Sequence, residues 1–354
     1  MNKISLTQTW PPPFVSVCTP TFNRRPFIPY MIKCFQQQDY PQDRLEWIII
    51  DDGSDKIGEL VSHIPQVKYF PYERKMLLGE KRNLLNAKAS GEIIIYMDDD
   101  DYYPPERISH AVGRLLANPE AMCAGSSIMY IYFKTLDKIY KFGPYGPKHS
   151  TAATFAFRRD LLKDNKYDDS VAVSEERSFL NNYTIPFVQL DPFKSILVFA
   201  HDHNSVNKEM LLANAHPDYI KETSLQVSEF IADSNIRDFY MNRLGDILKT
   251  YEAGRPESKP EMLKQIEEIT KVREAEIERR RATSVAAGSN VDMSAAMDMS
   301  GGITIKIGDD PPRFRSIKEI VQLLQDQHTH IIHLTSLLKG KDLEIELLIE
   351  AKRS

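Results

Sequence analysis

The sequence predicts an α/β protein with a mostly parallel, Rossmann-like sheet flanked by helices, followed by a helical, coiled-coil extension. Three observations carry this. Short apolar runs end abruptly in polar clusters, as buried parallel strands do. Segments with helical spacing separate those runs, giving the alternation of a doubly wound sheet. Beyond residue 250 the composition turns charged and then heptad-like.

The first strand is FVSVCTP, opening after Pro11, Pro12 and Pro13, which suit neither helix nor central strand. Phe27, Ile28, Met31, Ile32 and Phe35 recur at helical spacing between Pro26 and Gln38, and Tyr40-Pro41 stops that helix. LEWIIIDDGSD is a second strand and VKYFPY a third. A helix from Gly79 to Ala89 ends before Gly91, and EIIIYM then runs into Asp98, Asp99, Asp100 and Asp101. A helix over 106–118 leads to strand-like segments SSIMYIYF, KIYKF and HSTAATFAFRR, then VQLDP and SILVFA. A main domain is expected over 1–250, a charged helix over 251–282, a flexible linker over 283–302, and a coiled-coil oligomerisation tail over 303–354. In that tail Ile317, Ile320, Leu324, Ile331, Leu334, Leu338, Ile345 and Leu348 keep the heptad grid, with Gln327 and Lys341 as polar core layers.

The 354 residues suffice for one large domain plus an appendage, and 42% apolar with 27% charged residues is ordinary globular composition. A net charge of -5, without a long Lys/Arg block, gives no support to a phosphate-backbone reader, so no nucleic-acid partner is expected. Cys18, Cys34 and Cys123 lack the spacing of zinc or redox motifs and read as buried apolar residues in a reducing compartment. No run of about 18 apolar residues suggests a transmembrane segment, and the N-terminus does not read as a signal peptide. The expectation is a cytoplasmic protein whose partners are soluble or met by peripheral association.

Three polar clusters fall at strand ends: Thr19 to Arg24, Asp51 to Ser54, and Asp98 to Asp101. Ligands of open α/β sheets bind there. Four consecutive carboxylates repel one another, and a divalent cation is the simplest reason to place them together. Helix capping needs only one or two acids, and an Asp-Gly-Ser turn would account for Asp51 without a ligand.

With those segments in order, the chain resembles family 2 of the glycosyltransferases, carried by VSVCTPTFNRRPFIPYMIKCFQQQDYP, LEWIIIDDGSD and GEKRNLLNAKASGEIIIYMDDDDYYPPERI. The resemblance spans about residues 14 to 205. It implies a GT-A fold and an inverting transfer from a nucleotide-diphosphate sugar, UDP first among the nucleotides, to the hydroxyl of a glycan or other acceptor. It further implies that Pro20, Thr21 and Asn23 lie against the nucleotide, that Asp51 meets the base, and that Arg82 holds the base or diphosphate. Asp98 and Asp100 satisfy a DxD pattern in which Asp99 meets the ribose and Asp100 holds Mn²⁺ or Mg²⁺. A shift of one position among the four acids stays open.

An inverting transferase needs a base opposite the leaving diphosphate. The family's acid falls at Ser174-Glu175-Glu176, giving Glu176 as base and Glu175 as its fallback, although the same residues would also start a helix. His201-Asp202-His203-Asn204-Ser205 resembles the family's His-x-x-Asn-Ser segment, with His201 favoured as a further metal ligand and His203 as the other candidate. The loop GPYGP, with Phe142 and Tyr145, would offer stacking to an acceptor sugar. Two other readings are a sugar nucleotidyltransferase, which would want a Gly-rich triphosphate loop, and a non-catalytic nucleotide-sugar binder assembled into a homo-oligomer by the coiled coil.

Overall fold

In the computed structural model the described residues are 11–214, 217–289, 302–305 and 313–316, and the chain divides into a unit of residues 1–273 and one of residues 274–354. Four parallel strands form the first half of the main sheet: the buried β1 (Val15–Thr21), β2 (Leu45–Asp51) and β4 (Ile93–Tyr96), and the more exposed edge strand β3 (Val67–Pro71). Three short strands extend it: β5 (Cys123–Gly125), β8 (Ala156–Arg158) and β9 (Phe187–Gln189). The order is β3-β2-β1-β4-β8-β5-β9, and β8 runs antiparallel to both its neighbours. The mostly parallel α/β sheet flanked by helices expected from the sequence is therefore present.

Side chains alternate across these strands, and the alternation sorts them into two cores. Val15, Val17, Trp47, Ile49, Ile93 and Ile95 meet the helices Ile28–Gln36 and Arg107–Ala117 through Phe35, Met31, Ile108 and Leu115. Cys18, Ile48, Ile50, Ile94 and Tyr96 pack with Leu85 of the helix Leu78–Lys88. Phe35 stacks on Trp47 with ring centroids 4.4 Å apart. All three cysteines are buried thiols, as their spacing suggested.

A second sheet, ordered β10-β6-β7-β11, contains β6 (Met129–Phe133), β7 (Lys138–Phe142), β10 (Leu197–Ala200) and β11 (Ile220–Glu222). It delivers the residues after β10 to the main sheet, because Tyr102 and Leu197 exchange backbone hydrogen bonds of 3.1 and 2.9 Å. The chain moves outward from β1 through β2 to β3, then returns by the helix Leu78–Lys88 to β4 on the other side of β1. That reversal opens a crevice beyond the carboxyl ends of β1 and β4.

Beyond 250 the architecture differs from the expected boundaries. Residues 251–258 form turns that pack on the strand ends, and a helix runs over Pro260–Ser289, past the expected end at 282. Proline at the first helical position and the solvated charge of the sequence fit that start. The first unit consequently continues to Arg273. In the second unit β12 (Gly302–Ile305) pairs antiparallel with β13 (Arg313–Ser316). Residues 290–301, most of the expected linker, and the heptad positions from 317 onward lie outside the described residues. Among the described residues no helix is long and apolar enough to cross a membrane.

Candidate functional site

Strand register brings the three polar clusters to one edge. Thr21 pairs with Asp51 across β1 and β2, and Cys18 pairs with Tyr96 across β1 and β4, two residues before Asp98. Thr19 fixes the turn between them: its hydroxyl donates to Met97 O at 2.7 Å and accepts from Trp47 Nε1 at 2.9 Å. The Tyr103 hydroxyl accepts the Asp98 N–H at 2.8 Å and donates to Ala153 O at 3.1 Å. The backbone of the acidic turn is thus held by neutral groups.

Two buried arginines compensate the acids. Arg24 places Nε 3.6 Å from Asp99 and Nη2 3.5 Å from Asp100. Arg82 donates through Nε to Glu175 at 2.8 Å, sits 3.5 Å from Asp98, and lies 4.5 Å from the Tyr96 ring centroid. Burial pushes the Asp99 carboxyl up to about 7, with Asp100 adding to the shift and Arg24 opposing it. Burial also works against the Asp100 carboxylate, yet Arg24 and His201 hold its carboxyl below the ordinary range. Asp101 is driven well above it by burial and by Asp100. Asp101 accepts the Phe199 N–H at 3.4 Å, so it ties β10 to the acidic turn.

His201 and Asp100 come together, with Nε2 3.6 Å from Oδ2. Burial lowers the imidazole to about 3, against the pull of Asp100, so the ring is neutral as metal ligation requires. Asp98 Oδ1 and Asp99 Oδ2 are buried beside this pair without a hydrogen-bond partner among the described residues. Oxygen donors with one neutral imidazole suit Mn²⁺ or Mg²⁺. Among the described residues no three potential ligands close a cation site by themselves. A cation here would need oxygens from a bound ligand or water, as such ions commonly take in phosphate sites. The residues present fit that arrangement.

His203 does not join the pair. Its Nε2 lies 2.7 Å from Tyr251 O, and its ring is turned from Asp100 toward the segment after residue 250. Asp51 is fully buried, with Oδ1 accepting from Gly53 N at 2.9 Å and Oδ2 from Ile57 N at 3.1 Å and the Tyr69 hydroxyl at 2.7 Å. Those bonds make it the anchor of the turn after β2. Pro20 and Thr21 end β1, and the buried Thr21 hydroxyl has no hydrogen-bond partner among the described residues. Asn23 has φ 53°, a left-handed value tolerable for Asn. Its Oδ1 accepts from Asp55 N at 2.9 Å and its Nδ2 donates to Ala253 O at 2.8 Å.

The two glutamates separate. Glu175 is buried and bound to Arg82, whereas Glu176 is half-buried at the start of the four-residue helix Glu176–Phe179. Ser174 does not cap that helix and instead has φ 59°. Phe142 is fully buried in the core and cannot form an acceptor platform. Tyr145 is 38% exposed, with its ring 4.9 Å from His149 and 5.2 Å from Tyr219.

Sequence reasoning assigned no role to several residues that build this site. Arg24 is the main cation of the acidic turn, and only its place beside Asn23 hinted at that. Lys81 pairs with Asp52 and donates to Thr21 O at 3.2 Å, joining β1 to the β2 turn. Lys259 lies in a stretch that composition marked only as charged.

Residues 16–171 match the family model described as Glycosyl transferase family 2. The GalNAc(5)-diNAcBac-PP-undecaprenol beta-1,3-glucosyltransferase of Campylobacter jejuni is 29% identical over 192 residues, covering 48% of this chain and 60% of that protein. The poly(ribitol-phosphate) beta-N-acetylglucosaminyltransferase TarS of Staphylococcus aureus is 28% identical over 109 residues, covering 27% of this chain and 18% of TarS. The chain thus spans less than two thirds of these relatives. Among solved structures, a mannosyltransferase from Pyrobaculum calidifontis in complex with GDP-Man and Mn²⁺ is 18% identical, covering 54% of this chain and 58% of that one, with TM-score 0.44. TarS of S. aureus in complex with UDP-GlcNAc is 20% identical, covering 57% and 61%, with TM-score 0.43.

Proposed function

We propose, because residues 16–171 match the model of glycosyl transferase family 2, that the chain transfers a sugar from a nucleotide-diphosphate sugar to an acceptor hydroxyl with inversion. The observation that carries the reading is the convergence of Asp98, Asp99, Asp100, Arg24, Arg82 and His201 at the sheet's switch point. UDP is the first nucleotide to test. The Thr21 hydroxyl and Asp99 line the nucleotide side of the crevice in this reading, and Arg82 is held by Glu175 toward the diphosphate.

Asp100 and His201 would hold the divalent cation, which when bound supplies positive charge beside the departing diphosphate. In this reading Glu176 is the base, and Glu175, which accepts Arg82 Nε at 2.8 Å, is its fallback. Glu176 takes the proton of the acceptor hydroxyl as its oxygen forms the bond to the sugar's anomeric carbon. The bond from that carbon to the diphosphate breaks on the opposite face, and its electron pair leaves with the phosphate oxygen. Attack and departure on opposite faces invert the configuration.

The test is nucleotide release from UDP-, GDP-, CDP- and TDP-sugars with Mn²⁺ or Mg²⁺, comparing the wild-type chain with Asp100→Ala. Release with one nucleotide class, lost in the variant, is expected. Release by both proteins alike would remove Asp100 from the reaction, and no release with any donor or added acceptor would refute the transferase reading.

A further inference from the structure

The segment after residue 250 lies along the mouth of the crevice, and loops from three strand ends hold it. From the β1 loop, Asn23 Nδ2 donates to Ala253 O at 2.8 Å and Arg24 Nη1 to Gly254 O at 2.9 Å. From the turn after β2, Asp55 accepts the Tyr251 hydroxyl at 2.8 Å. After β10, His203 Nε2 meets Tyr251 O at 2.7 Å. Arg24 and His203 are themselves joined, since Arg24 Nη2 donates to His203 O at 2.7 Å. Gly254 is required at the tightest point: a Cβ there would lie 2.5 Å from Asn23 O and 2.9 Å from His203 Cδ2. Asn23, which the family resemblance sets against the nucleotide, and Arg24, the main cation of the acidic turn, are therefore spent on holding this segment in place.

Lys259 stands at the end of the segment, immediately before the helix Pro260–Ser289. Its ammonium lies 3.4 Å from Ser205 Oγ and 5.3 Å from the centroid of Phe22, at a cleft open to solvent that Lys75 and Lys81 also line. Lys75 is bound to Glu261 at 2.8 Å and Lys81 to Asp52. Among the described residues Lys259 makes no ion pair within 4 Å, yet it lies in the field of Asp99 and Asp100. Burial, Arg24 and Lys81 lower its ammonium to about 7, so an anion bound beside it would favour its charged form.

We propose that Tyr251–Lys259 is a strap forming one wall of the donor crevice, and that Lys259 is the cation it presents to the diphosphate of the nucleotide sugar. This rests on the donor reading above and adds to it a binding residue that lies outside the family-matched segment. The three strand-end loops set the strap, Gly254 lets it approach, and the strap sets Lys259 between Phe22 and Ser205. A charge-assisted hydrogen bond from Lys259 to phosphate would strengthen binding of the diphosphate more than of the monophosphate.

The experiment is calorimetric titration of the full chain, with Mn²⁺, by UDP, GDP, CDP and TDP, then by the monophosphate of whichever diphosphate binds. The proteins are wild type, Lys259→Met, Lys259→Arg and Gly254→Val, with Lys259→Gln in reserve should the Met variant be unstable without ligand. Lys259→Met should bind the diphosphate at least about tenfold more weakly with little change for the monophosphate, a loss in keeping with charged hydrogen bonds. Lys259→Arg should restore most of the affinity, and Gly254→Val should reproduce the diphosphate loss by displacing the strap. Undiminished diphosphate binding by Lys259→Met, or equal weakening of both ligands, would overturn the strap assignment while the donor reading stands. A wild-type chain that binds none of the four diphosphates would overturn both.

Discussion

Replacing Glu175 and Glu176 separately distinguishes a structural carboxylate from a catalytic one. Glu175 is buried, and its Oε1 accepts Arg82 Nε at 2.8 Å, while Arg82 Nη1 has no hydrogen-bond partner among the described residues. Glu175→Ala therefore strands a buried guanidinium whose remaining acid, Asp98, lies at 3.5 Å. Removing one partner of a buried pair costs about 3–5 kcal/mol. For a unit of this size that is a fall in melting temperature of roughly 6–20 °C. Glu176→Gln, at a half-buried position, should leave the melting temperature within about 2 °C, as surface changes do, and lower turnover roughly 10²–10⁴-fold by removing the base. Differential scanning calorimetry and nucleotide-release kinetics read the two effects. A stable Glu175→Ala chain without turnover, or a Glu176→Gln chain with full turnover, would refute the division of roles.

Exchange of Tyr145 for Ala should raise the acceptor concentration needed for saturation and leave donor hydrolysis intact, because its exposed ring stands with His149 and Tyr219; an unchanged acceptor curve would remove it from the acceptor site. His110 accepts the Asp191 N–H at 2.9 Å, and burial lowers its imidazole to about 4 from 6.5. Its contribution to stability is complete above pH 6.5 and declines as pH falls toward 4, since protonation then favours the unfolded chain. His110→Gln should flatten that part of the melting temperature against pH, and an identical slope in the variant would contradict the assignment.

The main sheet is legible in the sequence because β1, β2 and β4 are buried on both faces and so read as uninterrupted apolar runs. The three-residue strands β5, β8 and β9 carry too little pattern for periodicity to fix their order, and the antiparallel β8 becomes evident only from its pairing. The acidic turn was legible because four adjacent carboxylates have few structural explanations. The different directions of His201 and His203 were not, since only the folded backbone brings His203 to Tyr251 O. The packing of residues 251–262 was not legible either, for a physical reason. Charge made residues 251–262 look like solvated surface, whereas Asn23 and Arg24 hold that segment by contacts 230 positions apart in the chain. Such long-range hydrogen bonds leave no local signature, apart from a glycine whose purpose appears only when its neighbours are placed.

The most direct test of the donor site is thermal stabilisation of the full chain by UDP, GDP, CDP and TDP, each with and without Mn²⁺, for wild type and Asp100→Ala. A ligand at a hundred times its dissociation constant stabilises by about 2.7 kcal/mol, a rise of roughly 5–11 °C for a unit of this size. A rise with one diphosphate that needs Mn²⁺ and disappears in Asp100→Ala is the predicted result. Unchanged melting with all four, or a shift that survives the loss of Asp100 intact, would contradict a metal-assisted nucleotide-sugar site at this crevice.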